Sequence, residues 1–325
     1  YDPLGTYRDL KALLEARSPI HLPRREGVFY DAAAHRILVP VKMAFPPSDT
    51  AQTAAVKKLL QDDPRWDLLG AHAATLANHF TVIATDLRGY GASGRPPSDA
   101  RHAPYSKRAM AADQVAVMRH FGFAQFHVCA HDRGARVAHR LALDHAEAVE
   151  RMMLLDIAPT LAMYEKTDRA FATAYFHWFF LIQPEPLPET LIGAHTDAYV
   201  ERVMGNRSAG LAPFAPEALD AYRAALAQPG AVHAMCEDYR ASATIDLEHD
   251  RADLERGNKI ACPLRVLWGE HGVVGRCFDP LDEWRRVARD VSGRALDCGH
   301  YIPEEAPVAL IDELLAFFDA RDAAA

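Results

Sequence analysis

The pentapeptide Ala130-His131-Asp132-Arg133-Gly134 places a carboxylate between small residues where the apolar run 126–130 gives way to a helical pattern. A strand that turns sharply into a helix strains the residue at the bend, and the close neighbours must be small, as Ala130 and Gly134 are. Such a bend presents one side chain as a nucleophile. Aspartate there selects the chemistry: a carboxylate displaces a leaving group from saturated carbon to give an ester that water can cleave, whereas an alkylated serine is an inert ether. The reaction expected is therefore displacement at carbon rather than peptide or ester cleavage. The competing role for Asp132 is N-cap of the following helix, for which aspartate is favoured.

Two further residues stand where such a nucleophile needs them. Asp156 ends the apolar run 152–156, and His300 follows the run 294–297 in the loop Cys298-Gly299-His300. Nucleophile, acid, histidine is the chain order of α/β-hydrolases. Among 16 histidines, His300 is singled out by that position alone. Glu270, after the run 264–268, is the alternative acid.

The elements that must position these residues alternate strand-like runs (80–85, 126–130, 152–156, 264–268, 294–297) with amphipathic helices, the pattern of βαβ units and a mostly parallel sheet flanked by helices. Ser106 is the expected N-cap of a helix over 106–121 that ends before Gly122, with Met110, Val117, Met118 and Phe121 on its packed face. A final amphipathic helix is expected over 308–318. Residues 158–258 carry aromatic helical segments broken by prolines and read as a helical cap inserted after Asp156, within a core formed by 1–157 and 259–325. Residues 1–79 are atypical, with a strand expected within 36–45 and a helix within 50–60.

At 325 residues, 50% of them hydrophobic, the chain can bury a large core. Its formal charge of -8 gives no general attraction to nucleic acid or to anionic lipid, so an anionic ligand must be held locally. The five cysteines lack metal-ligand or disulfide-framework spacing. No stretch approaches the roughly 18 apolar residues of a membrane span, and no signal peptide is evident. A soluble, cytoplasmic protein without metal or organic cofactor is expected.

Residues 80–318 resemble the fluoroacetate dehalogenase family, relatives of haloalkane dehalogenases and epoxide hydrolases. The resemblance rests on Asp86-Leu87-Arg88-Gly89-Tyr90-Gly91, His131-Asp132-Arg133-Gly134-Ala135-Arg136-Val137, Leu155-Asp156-Ile157, His177-Trp178, Cys236-Glu237-Asp238-Tyr239-Arg240 and Gly299-His300. It implies that Arg133 and Arg136, three apart on one helical face, grip the carboxylate of a small 2-haloacid. It further implies that His177, Trp178 and Tyr239 donate hydrogen bonds to the departing halide. Asp132 would form the ester, and His300, supported by Asp156, would activate the water that cleaves it. Water is then the second substrate, and the family implies a homodimer.

The chain departs from the family in two places. Where members carry a His-Gly-Phe-Pro-like loop, it reads Leu59-Leu60-Gln61-Asp62-Asp63-Pro64-Arg65, which suggests a shifted reading frame or a divergent replacement. In the cap, Gly205-Asn206-Arg207 replaces a segment that carries tryptophan in relatives, which implies a larger or more open pocket. Two other functions fit parts of this pattern: an epoxide hydrolase using the same Asp132, Asp156 and His300, and a hydrolase-fold protein impaired by the missing loop.

Overall fold

The computed structural model describes residues 37–41, 76, 79–207 and 209–319. Among these residues six strands form one sheet: β1 (Ile37–Val41), β2 (Thr81–Thr85), β3 (Phe126–His131), β4 (Val149–Leu155), β5 (Leu264–Gly269) and β6 (Val291–Leu296). Their order is β2-β1-β3-β4-β5-β6. From β3 to β6 every pairing is parallel, whereas β1 runs antiparallel to both β2 and β3. The expected strand within 36–45 is thus present as β1. The expected helix at 50–60 and the replaced loop at 59–65 lie outside the described residues.

Sequence accounts for where each strand sits. All six residues of β3 are buried, as a strand covered by helices on both faces requires. At the sheet edge β6 exposes alternate residues, consistent with its serine and arginine. Parallel strands share a direction, so the C-terminal ends of β3 to β6 open along one edge of the sheet.

Helix α1 (Lys107–His120) follows β2 and starts at Ser106, whose hydroxyl accepts the Ala109 N–H at 3.2 Å. Met110, Met118 and Phe121 are buried as expected, while Val117 is only partly covered. Helix α2 (Asp132–Asp144) follows β3 and is buried from Arg133 through Ala142.

Between β4 and β5, in the stretch expected to be the cap, lie eight helices: α3 (Thr160–Glu165), α4 (Arg169–Ala174), α5 (Phe176–Leu181), α6 (Leu187–Gly193), α7 (Thr196–Gly205), α8 (Pro216–Leu226), α9 (Ala231–Ala243) and α10 (Ile245–Arg256). After β5 come α11 (Val274–Cys277) and α12 (Pro280–Val287); after β6 come α13 (Ile302–Glu305) and α14 (Pro307–Phe318).

Trp284 on α12 links these layers. Its ring is fully buried, stacks edge-on against His139 of α2 and donates Nε1–H to the Ile157 carbonyl at 3.0 Å. That bond fixes the chain where it leaves β4. Trp284→Phe deprives a buried carbonyl of its donor, so urea unfolding should show a stability loss of about 1–3 kcal/mol.

Candidate active site

At the junction of β3 and α2, His131 is extended (φ -118°, ψ 145°) and Asp132 takes a positive φ of 42° as the first helical residue. A non-glycine residue in this conformation costs on the order of 1–3 kcal/mol. The paired strand behind it and the buried helix ahead of it hold it there. The N-cap role that competed for Asp132 is not taken: His131 occupies that position, and its side chain turns away to donate Nε2–H to the His300 carbonyl at 2.8 Å.

A second strained aspartate lies one strand over. Asp156, directly after β4, has φ 46° and is fully buried. Its Oδ1 accepts the Gly269 N–H at 3.0 Å, and its Oδ2 accepts Nδ1–H of His300 at 2.6 Å. With Nδ1 so engaged, His300 turns Nε2 toward Asp132, 3.7 Å from Oδ2. At that distance the protonated imidazole and the Asp132 carboxylate form a pair of opposite charge. Burial lowers the His300 pKa, but the carboxylates of Asp132 and Asp156 outweigh it, and the net shift is upward.

The histidine loop is pinned from three directions. Besides the His131 bond, Glu305 accepts the N–H groups of Gly299 at 2.6 Å and Tyr301 at 2.9 Å. At the end of β5, a Cβ on Gly269 would overlap the Gly299 carbonyl, so only glycine lets the two loops approach. Sequence reasoning missed Glu305, since an acidic residue five positions beyond a histidine carries no signal of its own. Glu270, the alternative acid, is exposed, and the bond to His300 Nδ1 belongs to Asp156.

Arg133 and Arg136 both lie buried beside the bend. Arg133 donates through Nε to Asp238 Oδ2 at 2.7 Å and through Nη2 to Ser242 at 2.6 Å, with Tyr239 stacked under its guanidinium at 4.0 Å. Arg136 donates through Nη1 to Thr160 at 2.9 Å and lies over Trp178 at 4.5 Å. Arg133 Nη1, Arg136 Nε and Trp178 Nε1 are buried without hydrogen-bond partners among the described residues. Arg133 and Arg136 lie one and four positions after Asp132 on the helix that it begins, and all three donors are unsatisfied.

Asp238 is the hub of this arrangement. It accepts from Arg133, from the Tyr90 hydroxyl at 2.6 Å and from the Lys107 ammonium. Burial alone would raise its pKa, but Arg133 and Lys107 hold it well below the usual carboxylate range.

A cavity of about 120 Å³ opens above the bend, lined by Asp132, His300, His177 and Tyr239 together with apolar residues of α7, α8 and α9. Arg133, Arg136 and Trp178 are not among its lining residues; Arg133 stacks on Tyr239, which is. Burial, reinforced by Arg207, keeps His177 well below the usual histidine value and therefore neutral; burial pushes the Tyr239 phenol up. Both are neutral donors at physiological pH. Where a larger pocket was expected, Asn206 follows the end of α7 and Arg207 enters the cavity lining.

Residues 66–307 match the family model of the alpha/beta hydrolase fold. The chain is 44% identical over 236 residues to a fluoroacetate dehalogenase from Burkholderia sp, covering 72% of this chain and 77% of that one. It is 32% identical over 251 residues to a soluble epoxide hydrolase from Corynebacterium sp. (strain C12), covering 75% and 82%. A solved alpha/beta hydrolase structure from Nostoc sp PCC 7120 superimposes with a TM-score of 0.75 at 52% identity, covering 78% of this chain and 87% of that chain.

Asp238 is the carboxylate paired with buried Arg133 and one of two beside buried Lys107, so truncating it leaves Arg133 unpaired and Lys107 with Asp246 alone. Asp238→Ala should lower unfolding stability by about 3–5 kcal/mol in denaturant titration, far more than removal of an exposed ion pair.

Proposed function

The chain belongs to the fluoroacetate dehalogenase family of the α/β-hydrolase superfamily, and from that premise we propose that it hydrolyses small 2-haloacids such as fluoroacetate to the 2-hydroxyacid and halide. The single observation that supports this reading is a set of buried, unpartnered donors, on Arg133 and Arg136 of the helix begun by a strained aspartate that faces an imidazole and on Trp178 under Arg136.

In the first step an Asp132 carboxylate oxygen attacks the α-carbon of the substrate, forming a C–O bond as the carbon–halogen bond breaks and halide departs with the bonding electrons. Arg133 and Arg136 hold the substrate carboxylate so that this carbon faces the nucleophile. His177, Trp178 and Tyr239 donate to the halide as its charge develops; for fluoride, a poor leaving group, this help matters most. In the second step His300 takes a proton from water, which attacks the carboxyl carbon of the Asp132 ester. The ester breaks, the 2-hydroxyacid leaves and the aspartate is restored. Ester formation also removes the Asp132 charge, one of the two that raise the His300 pKa. The imidazole therefore becomes easier to deprotonate at the step where it must act as base.

An epoxide hydrolase is the second reading, supported by the 32% match to the Corynebacterium enzyme and by the neutral Tyr239 phenol in the cavity, placed to protonate an epoxide oxygen. It leaves the two buried guanidinium groups without a task. Diol formation from styrene oxide, measured against halide release from fluoroacetate, separates the two.

Asp132→Asn should lower fluoride release from fluoroacetate by at least about 10³-fold, as loss of a nucleophile does; equal release by both proteins defeats the proposal. His300→Ala should stop after the first step, so intact-mass measurement should find a carboxymethyl adduct on Asp132, whereas a catalytically silent protein forms none.

The base form of His300 is populated only above its pKa, which lies above the ordinary value of about 6.5. The rate should therefore fall as pH drops through that raised value. Asp156→Asn removes one of the carboxylates responsible, so the acid limb of its residual activity should move to lower pH.

A further inference from the structure

Charge counting around the bend leaves one cation unexplained. Lys107 and Arg133 are matched by Asp238 and Asp246, two positive charges against two negative. Asp156 and His300 count as an ion pair. What remains is Asp132, Arg136 and Arg207: one negative charge and two positive. With His300 protonated the site therefore has room for one more monoanion, and it has that room only because Arg207 is present. Without it, Arg136 alone would face both Asp132 and the substrate carboxylate. With His300 neutral, Arg136 and Arg207 just balance Asp132 and Asp156, and without Arg207 the sum is negative before any ligand enters.

Hydrogen-bond donors point the same way. The unpartnered donors of Arg133 and Arg136, Nη1 and Nε, belong to residues that do not line the cavity, so a carboxylate with its roughly four acceptor positions calls for a further donor from the lining itself.

Arg207 is such a donor. Among the described residues it is the only lysine or arginine lining the cavity, where it stands with Asp132 and His300. No carboxylate among the described residues lies within ion-pair distance of it, and its Nε is buried without a partner. Tyr175 lies under its guanidinium at 4.5 Å, which fixes the plane, and the acceptor beside it is the neutral Tyr301 hydroxyl, which an anionic ligand outcompetes. The neighbouring walls Val200, Val203 and Met204 are apolar.

We propose that Arg207 is a third guanidinium for the substrate's carboxylate, binding it from the cavity side opposite Arg133 and Arg136 and selecting 2-haloacids over neutral halides. The inference rests on the haloacid reading above, and the test keeps the two apart.

The probe is glycolate, the non-reacting product of fluoroacetate hydrolysis, titrated calorimetrically into the wild-type protein, Arg207→Gln and Arg207→Lys, with neutral glycolamide as the comparison ligand. Loss of a charge-assisted contact should raise the glycolate Kd of Arg207→Gln by about 10- to 100-fold. Arg207→Lys should recover part of this, and glycolamide binding should stay the same throughout. The inference is overturned if Arg207→Gln binds glycolate within about twofold of wild type, if glycolate and glycolamide affinities fall together, or if the wild type binds no glycolate. Halide release from fluoroacetate by the wild type tests the reaction independently: a protein that binds glycolate through Arg207 yet frees no halide keeps this inference and loses the dehalogenase reading.

Discussion

A carboxylate can stay ionised in a protein interior only if cations and donors replace the water it loses. Asp238 of α9 meets that condition with groups drawn from elsewhere in the chain: Arg133 of α2, Lys107 of α1 and the Tyr90 hydroxyl from the loop after β2. No single segment can satisfy it. The inserted helices are thereby tied to the layer that carries Asp132, and Tyr239, next to Asp238 in sequence, is delivered to the cavity above the bend. The same bonds that anchor the insertion leave Arg133 Nη1 unsatisfied, so the anchoring side chain keeps a donor for the proposed ligand.

Strain is concentrated where the chemistry is expected. Asp132 and Asp156 both adopt left-handed backbone conformations at the ends of adjacent parallel strands. Each bend turns a carboxylate out of the sheet edge toward the same imidazole. The His300 loop then has to come close, and it does so through the glycine at the end of β5 and the Glu305 side chain that gathers its backbone N–H groups. Rigidity there matters because a 3.7 Å separation between imidazole and carboxylate is useful only if neither group drifts.

Much of this was legible in the sequence. The small-x-Asp-x-small pentapeptide, the aspartate ending the next apolar run and the histidine in a glycine-flanked loop each sit directly after a strand, and parallel strands end on one side. Helical period alone places Arg133 and Arg136 on one face. What could not be read were the partners: Asp238 lies 105 residues from Arg133, and Glu305 belongs to a short helix with no pattern of its own. The antiparallel course of β1 was hidden too, since five apolar residues fit either direction.

The sequence by itself determined the order of strands and helices, the residue types at the bends and the sign of the charge beside them, because these follow from local periodicity and from chemistry written in adjacent positions. Only the tertiary structure decided which charges cancel and which remain. Arg133 reads as a free cation in the sequence but is half spent on Asp238, while Arg207 reads as an incidental replacement but lines the same cavity as Asp132 and has no ion-pair partner among the described residues. The reason is physical: the net field at a buried site is a sum over groups within a few ångströms, and chain separation says nothing about which groups those are.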